Sequence, residues 1–502
     1  MSTAPGTGKL QSEPEKRSPI PSLDKVETLS DTVDPKFEWR TMLWIDFRIL
    51  PILALIYSFA LIDRINLGAA YAAGMDKTLE LTVGARYSIV TCLYFVPYIL
   101  LQLPGNLVLR KLGVRNWLTF LVVAWGTVQL GMGFVKNWEE LLVTRILLGV
   151  FEAPFFPSLL WIISAWYKRH EVQKRMAAFY LLSVTAGGLS PLLAYGLSLL
   201  EGKRNLEGWR WIFIIEGAIT LFLGIICFLF IPNFPDENRF LTKEQTDFVI
   251  KRINDDRGDA LPDEITFQKV LKHLSDWTLW AYGFIFMCCT MPNYVQSYFV
   301  PIILAGMGYD KKGTLLRTAP PYAPAIPVTI LTAWLADKYK HRSGFIVIAV
   351  VVCLLGNGLT AWHPDNKVRY LGVFLTNAGN SASIPTVLAY ASNNVVSHSK
   401  RYVRVLSIRR ADSSSRLPNI SSVQTALSVA LGSMGGILAA TCFRSQDRPK
   451  YIPGLIATIL SQVVVIILLA ILSIRHTYWN KRAKEGKLSE PLEGQPGFLY
   501  TL

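Results

Sequence analysis

About twelve apolar runs of roughly twenty residues recur along the chain, each long enough to cross ~30 Å of hydrocarbon as a helix. They lie near 49–72, 84–104, 115–135, 141–166, 176–200, 209–231, 278–304, 318–336, 344–362, 370–392, 423–443 and 453–474. In lipid every backbone N–H and C=O must be satisfied within the protein, so runs of this length have to be helices. Composition agrees: 51% of the 502 residues are hydrophobic and only 17% charged, with a mean hydropathy of +0.33. An ordinary soluble domain carries about a quarter charged residues. The expected class is an all-α membrane protein of about twelve transmembrane helices in two six-helix bundles.

The net charge of +15 is topological and does not point to nucleic acid. Lys and Arg crowd the loops after spans two (Arg110, Lys111, Arg115), four (Lys168, Arg169, Lys174, Arg175), eight (Lys338, Lys340, Arg342) and twelve (Arg475 to Lys487). The alternate loops carry mixed charge, such as Asp76/Lys77/Glu80 and Lys136/Glu139/Glu140. The positive-inside rule then places both termini in the cytosol. The lipid bilayer is a partner, nucleic acid is not, and a monomer is expected.

The plan divides into a tail over 1–45 with the composition of a disordered segment, a first bundle over 46–231, a linker over 232–277, a second bundle over 278–475 and a tail over 476–502. Within the linker, Thr242-Lys-Glu-Gln245 has the form of a capping box. It predicts a short helix through Arg252 and Ile253. All six cysteines fall inside expected spans, with no spacing for a disulfide framework or a zinc site. No serine–histidine arrangement appears either, so catalysis, a metal and a cofactor are not expected.

The fourth run is the most informative. Arg145-Ile-Leu-Leu-Gly149-Val-Phe-Glu152-Ala-Pro154 sets two ionisable groups on one helical face with a glycine between them. Charges at this depth normally face a protein interior or a water-filled path and mark transport. Asp63 and Arg64 reach about 22 Å beyond Arg48 at 1.5 Å per residue, and Glu216 enters span six from the outer side. Helices one, four and six thus bring five charges to comparable depth. Arginine holds a carboxylate in two-pronged geometry, so Arg145 and Arg64 are the candidate anion-binding residues. Glu152, Asp63 and Glu216 are the candidate proton-coupling residues, because a buried acid next to an arginine competes with an anion for the same cation. The competing reading is that these pairs only lock helices together. Asn66, which shares a face with Asp63, and Asn293, Gln296, Tyr298, Asn377 and Asn380 are polar groups that either sense substrate shape or bridge helices. Arg210 and Trp211 read as interfacial anchors, and Gly187-Gly188 with Pro191 as a place of close helix contact.

The span-two exit Gly105-Asn-Leu-Val-Leu-Arg110-Lys-Leu-Gly113-Val-Arg115 and the span-eight exit Leu335-Ala-Asp337-Lys-Tyr-Lys-His-Arg342 echo each other. Gly105, Arg110, Gly113, Asp337 and Arg342 are the expected conformational turns. Together with Leu61-Ile-Asp63-Arg64-Ile-Asn66, Gly208-Trp-Arg-Trp-Ile-Phe-Ile-Ile-Glu216-Gly217, Phe240-Leu-Thr242, Thr318-Ala-Pro-Pro-Tyr322 and Asn393-Asn394, the layout resembles the major facilitator superfamily. Within it, the chain resembles the anion:cation symporter family and its fungal allantoate permease-type branch. The resemblance implies proton-coupled uptake of a small organic anion, of the carboxylate vitamin or ureide class, by alternating access at the plasma membrane. An exporter of a secondary metabolite on the same fold, and a nutrient sensor that does not transport, are the alternatives.

Residues 402–422 interrupt the resemblance with a polar stretch before span eleven. Arg401-Tyr402-Val403 can encode a splice donor, and Pro418-Asn419 and Ser422 can encode a branch point and acceptor. A retained intron and a basic cytosolic loop are the two readings. The Asn419 sequon lies on the side expected to be cytosolic, where it would not be glycosylated.

Overall fold

The computed structural model describes residues 35–102, 104–238, 240–257, 275–339, 341–394, 420–448, 450–488, 492 and 498–501. Among the described residues seventeen helices of seven or more residues follow one another, and there is no strand. In the first half these are α1 (Pro35–Ala70), α2 (Arg86–Leu101), α3 (Pro104–Leu112), α4 (Val114–Met132), α5 (Trp138–Glu152), α6 (Phe155–Trp166), α7 (Arg169–Ser198) and α8 (Gly208–Phe230). The linker carries α9 (Lys243–Arg257). The second half has α10 (Trp277–Tyr298), α11 (Val300–Gly306), α12 (Lys311–Thr318), α13 (Ala325–Tyr339), α14 (Arg342–Trp362), α15 (Asn366–Asn394), α16 (Ile420–Cys442) and α17 (Ile452–Lys484). The chain divides into Met1–Trp44, seen here as the opening turns of α1, and Ile45–Leu502, which holds everything discussed below.

All twelve expected runs meet helix, and among the described residues five helical stretches are long and apolar enough by themselves to span a bilayer, one of them Gly208–Phe230 at hydropathy 2.6. Three runs expected to be continuous are broken, the eighth at the 3-10 turn Pro320–Tyr322 that precedes α13. The fourth divides at Ala153–Pro154, because Pro154 has no N–H to continue the ladder and α6 starts afresh behind it. The seventh divides at Phe299, in front of Pro301.

Hydrocarbon provides little hydrophobic drive between helices, so close packing and polar bonds hold them. Gly217 of α8 shows the packing: a Cβ there would sit 2.4 Å from the Leu130 backbone nitrogen of α4. In the second bundle Ile285, Cys289, Val350, Val387, Tyr390, Val465 and Leu469 form a shared core of α10, α14, α15 and α17. Leu55, Phe222, Phe228, Leu355 and Ile467 point outward and are exposed, as a lipid-facing surface requires.

The two bundles touch at the end that carries the mixed-charge loops. Tyr87 donates to the Tyr298 carbonyl at 3.1 Å, Ser88 to the Phe443 carbonyl at 3.3 Å, and Arg448 lies 5.4 Å from the centre of the Tyr71 ring. Gly188 lets Tyr322 press on α7, where a Cβ would be 2.8 Å from the Tyr322 Cβ. At the opposite, basic end the linker docks on the first bundle. Thr242 and Gln245 form the predicted capping box, with reciprocal bonds of 3.1 and 3.3 Å. Arg252 of α9 grips both oxygens of Glu171, and Arg175 grips both oxygens of Asp46 at 2.9 Å. Burial pushes the Glu171 carboxyl up, but the Arg252 bonds and charge, the Lys168 N–H and Arg175 outweigh this and hold it below its ordinary value.

Helix α16 begins at Ile420, so the last residues of the 402–422 stretch are helical. Its remainder, with the Asn419 sequon, lies outside the described residues.

Candidate functional site

Five charges from α1, α5 and α8 gather in the interior of the first bundle. Asp63, Arg145, Glu152 and Glu216 are each 3% exposed or less. Helical geometry turns Asp63 and Arg64 about 100° apart, and the two side chains go to different partners. Asp63 Oδ2 accepts from Trp125 Nε1 of α4 and from Thr220 Oγ1 of α8, each at 3.2 Å. Arg64 turns the other way and pairs with Glu152, while its guanidinium lies 4.8 Å from the Tyr98 ring centre and 5.5 Å from that of Tyr94. Tyr94 completes the clamp, donating its hydroxyl to the second Glu152 oxygen at 2.6 Å.

Arg145 and Glu152 share a helical face as expected, yet the cation bonded to Glu152 is Arg64. Arg145 lies nearly two turns away along α5. Around it stand the neutral rings of Tyr298, Tyr87 and Tyr94, with the Glu152 carboxylate as the charged neighbour. Among the described residues the buried Arg145 Nε and Nη2 have no hydrogen-bond partner. Those two nitrogens form one lateral fork of the guanidinium, the geometry that receives a carboxylate with two parallel bonds. Gly149 makes this arrangement reachable, because a Cβ there would lie 2.3 Å from the Tyr94 carbonyl oxygen. The glycine serves the approach of α2.

Glu216 lies deeper. Both its oxygens are buried without a partner, and Asp63 is the charged group in reach. Asp63 Oδ1 is also unpartnered, as are both amide ends of Gln129, one turn beyond Trp125 on α4. Asp63 is the hub of the cluster, within electrostatic reach of both Glu152 and Arg145.

The polar groups expected to sense substrate divide. Asn66 accepts from Ser190 Oγ at 3.0 Å, and its Nδ2 is left over. Asn380, in the amide orientation that satisfies both ends, donates to the Cys289 carbonyl at 2.6 Å and accepts from the Asn293 N–H at 3.2 Å, a bridge between α15 and α10. Asn377 accepts from Ser381 at 3.4 Å and has an unpartnered Nδ2. Gln296 is buried on α10. The turn residues are away from the charges. Asp337 and Arg342 pair at 2.6 Å. Gly113 has φ +79°, which favours glycine, and Gly105 fits against Pro154 at the α5–α6 break, where a Cβ would be 2.2 Å from the proline Cβ. The Arg110 side chain lies outside what the structure describes. Arg210 does more than anchor: it donates to the Gly133 and Val135 carbonyls at 3.1 and 2.7 Å, closing the α4 terminus.

Sequence reasoning singled out Tyr298 and missed the rest of the aromatic wall. Tyr94 and Tyr98 stack at 5.6 Å, Tyr294 and Tyr298 at 6.3 Å, and Phe95 meets Tyr294 edge-on at 4.9 Å. These rings join α2 of the first bundle to α10 of the second around Arg64 and Arg145. The signal was available: Tyr94/Tyr98 and Tyr294/Tyr298 are both i, i+4 pairs, which share a helical face. Gln129 was equally visible as an amide in an apolar run.

A charged cluster in a bundle interior, walled by rings from both bundles, is a carrier's arrangement. The profile of the Major Facilitator Superfamily matches residues 53–409. The chain belongs to that superfamily. It is a multi-pass membrane transporter of the major facilitator type. It is 32% identical to the MFS transporter prlL of a fungal species (strain NRRL 50135) over 71% of this chain and 74% of that one. It is 30% identical to the major facilitator-type transporter hxnP of Emericella nidulans, over 92% and 90%. With the high-affinity nicotinic acid transporter of Saccharomyces cerevisiae it shares 26% identity over 91% and 82%. Among solved structures, a D-xylose–proton symporter superposes with a TM-score of 0.61 at 14% identity, covering 84% of this chain and 97% of that one, a likeness of fold.

Proposed function

We propose that this major facilitator protein imports a small organic anion together with protons, as a member of the allantoate permease-type branch, at the plasma membrane and with both termini in the cytosol. The observation that carries the reading is the unpartnered fork of Arg145, buried among tyrosines from both bundles. A dehydrated guanidinium edge of this kind is costly unless an anion completes it. The nicotinic acid transporter among the relatives supports a monocarboxylate of carboxylate vitamin or ureide size. The facing rings favour a flat one.

The residues divide the work. The anion takes the Arg145 fork and competes with Glu152 for Arg64, so binding loosens the Arg64–Glu152 pair. Glu152 keeps Arg64 neutralised when no anion is present, through one ion-paired contact that the Tyr94 hydroxyl supports from the other Glu152 oxygen. The proton is assigned to the Asp63–Glu216 pair, which has no cation bonded to it and four oxygens of which only Asp63 Oδ2 is hydrogen-bonded. Exchange between the two anions, substrate and Glu152, couples the arginines to helix α1, which also carries Asp63.

The test is uptake of labelled nicotinate, pantothenate, biotin and allantoate into proteoliposomes with an imposed inward proton gradient. At least one anion is expected to accumulate, and collapsing the gradient should abolish accumulation. Arg145→Lys keeps the charge but loses the planar fork, and KM should rise at least tenfold. Normal kinetics in Arg145→Lys would return Arg145 to packing, and accumulation indifferent to the gradient would refute symport.

A further inference from the structure

At the basic end of the second bundle, residues Phe498–Thr501 of the tail fold back onto α10, α15 and α17. Two asparagine side chains clip the backbone. Asn480 of α17 accepts from the Tyr500 N–H at 2.8 Å and donates to the Tyr500 carbonyl at 2.8 Å. Asn394, the last residue of α15, accepts from the Thr501 N–H at 2.8 Å and from its hydroxyl at 3.0 Å, and donates to the Thr501 carbonyl at 3.1 Å. Each amide therefore reads both polar groups of one peptide residue, in the way a neighbouring strand would. Asn394 is 2% exposed, so its amide needs these partners.

The Tyr500 side chain adds specificity. Its ring stacks on His476 of α17 at 4.5 Å and 8°, and Arg475 lies 5.8 Å from its centre. Beneath it, the His476 nitrogens lie between the Tyr282 hydroxyl of α10 at 3.3 Å and the Tyr390 hydroxyl of α15 at 3.2 Å. Tyr500 is 7% exposed, more enclosed than a loose tail residue would be.

The seat matters because of where α15 can bend. Pro385 lies inside α15, nine residues before Asn394. It supplies no N–H and crowds the preceding turn, so the segment beyond it is the easiest part of the helix to tilt. Asn377 and Asn380 lie on the other side of that proline. The tail binds the tip of the hinged segment to α17, and the long lever from Pro385 lets a few hydrogen bonds restrain it.

We propose that Phe498–Thr501 is a strap that ties the basic end of α15 to α17 and restrains bending at Pro385, limiting how readily this end of the second bundle rearranges. The inference is independent of the substrate and proton assignments above.

Hydrogen exchange and limited chymotrypsin digestion of the full-length protein test it, read by mass spectrometry beside Asn480→Ala and Tyr500→Ala. Both variants are expected to be cut after Phe498 or Leu499 at least fivefold faster than the parent. Amides of residues 386–394 should exchange at least fivefold faster, while residues 208–230 stay unchanged. Adding a synthetic peptide of residues 498–502 to Tyr500→Ala should slow exchange at 386–394 again. Equal cleavage of parent and variants would overturn the docking. Faster cleavage with unchanged exchange at 386–394 would overturn the strap. Tyr500 lies outside every helix, so its variant keeps the test decisive if Asn480→Ala fails to fold.

Discussion

Replacing Glu152 by Gln keeps its shape and removes the charge that holds Arg64. In the parent, an anion that uses Arg64 must displace Glu152 from a bonded, dehydrated pair that Tyr94 reinforces at 2.6 Å. A hydrogen bond to a charged group is worth about 1.5–3 kcal/mol. The glutamine retains a weaker neutral contact, so relief of one such interaction is the reasonable net effect. At 1.4 kcal/mol per decade, that is a gain of about 10- to 150-fold in anion affinity. The Tyr98 and Tyr94 faces, at 4.8 and 5.5 Å, keep the uncompensated guanidinium tolerable, since a cation over a ring gains about 0.5–2 kcal/mol. The assay is equilibrium binding of labelled nicotinate to purified protein, with size-exclusion profiles as the folding control. Tyr94→Phe removes only one donor to Glu152 and should shift affinity in the same direction by less. An unchanged or weakened Kd in a well-folded Glu152→Gln protein would refute competition for Arg64 and leave the pair as a lock between α1 and α5.

Three further outcomes follow from the same geometry. Glu216→Gln or Asp63→Asn should cut proton-driven accumulation at least tenfold while leaving counterflow exchange of the anion measurable; intact accumulation in both would move the proton elsewhere. Because Glu171 is held below its ordinary carboxyl value, its grip on Arg252 is fully present above about pH 4.5 and is lost as pH falls through its folded value. Hydrogen exchange in α9 should accordingly be flat from pH 8 to 5 after correction for intrinsic rates. It should rise about 10- to 150-fold in Glu171→Gln at neutral pH, from loss of about 1.5–3 kcal/mol in charged hydrogen bonds; an unaltered α9 would show that the clasp contributes nothing. Gly149→Ala places a methyl 2.3 Å from the Tyr94 oxygen and 3.0 Å from Pro97 Cγ. Overpacking of that kind costs about 1–3 kcal/mol and should lower the melting temperature in a thermal-shift assay, whereas an unshifted melt would show α2 and α5 to be free to separate.

Much of this protein could be read before its coordinates. The helices were legible because hydrocarbon leaves a backbone one way to satisfy itself over twenty residues. The charges were legible because an ion in an apolar run must have a reason to be there, and the Thr242–Gln245 box because capping is local chemistry. Asp63, Arg145, Glu152 and Glu216 do share one interior. The chain breaks were harder to see: the prolines at 154, 301 and 320 were visible, yet many prolines sit inside continuous helices here, as Pro385 and Pro191 do.

Partners were not legible. Periodicity gives a side chain its direction around its own helix axis, and says nothing of how that axis is rotated against its neighbours. Arg145 and Glu152 share a face of α5, but the approach of α1 and α2 over Gly149 delivers Arg64 and Tyr94 to Glu152 and leaves Arg145 with an open fork. The same limit hid the tyrosine wall, whose halves are more than 190 residues apart, and the seating of Tyr500 on His476. Sequence alone thus determined which segments enter the membrane and which charges enter with them, since both follow from solvation of each segment by itself. Only the tertiary structure decided which of those charges neutralise one another, because that depends on relative rotations and separations of helices that no single segment encodes.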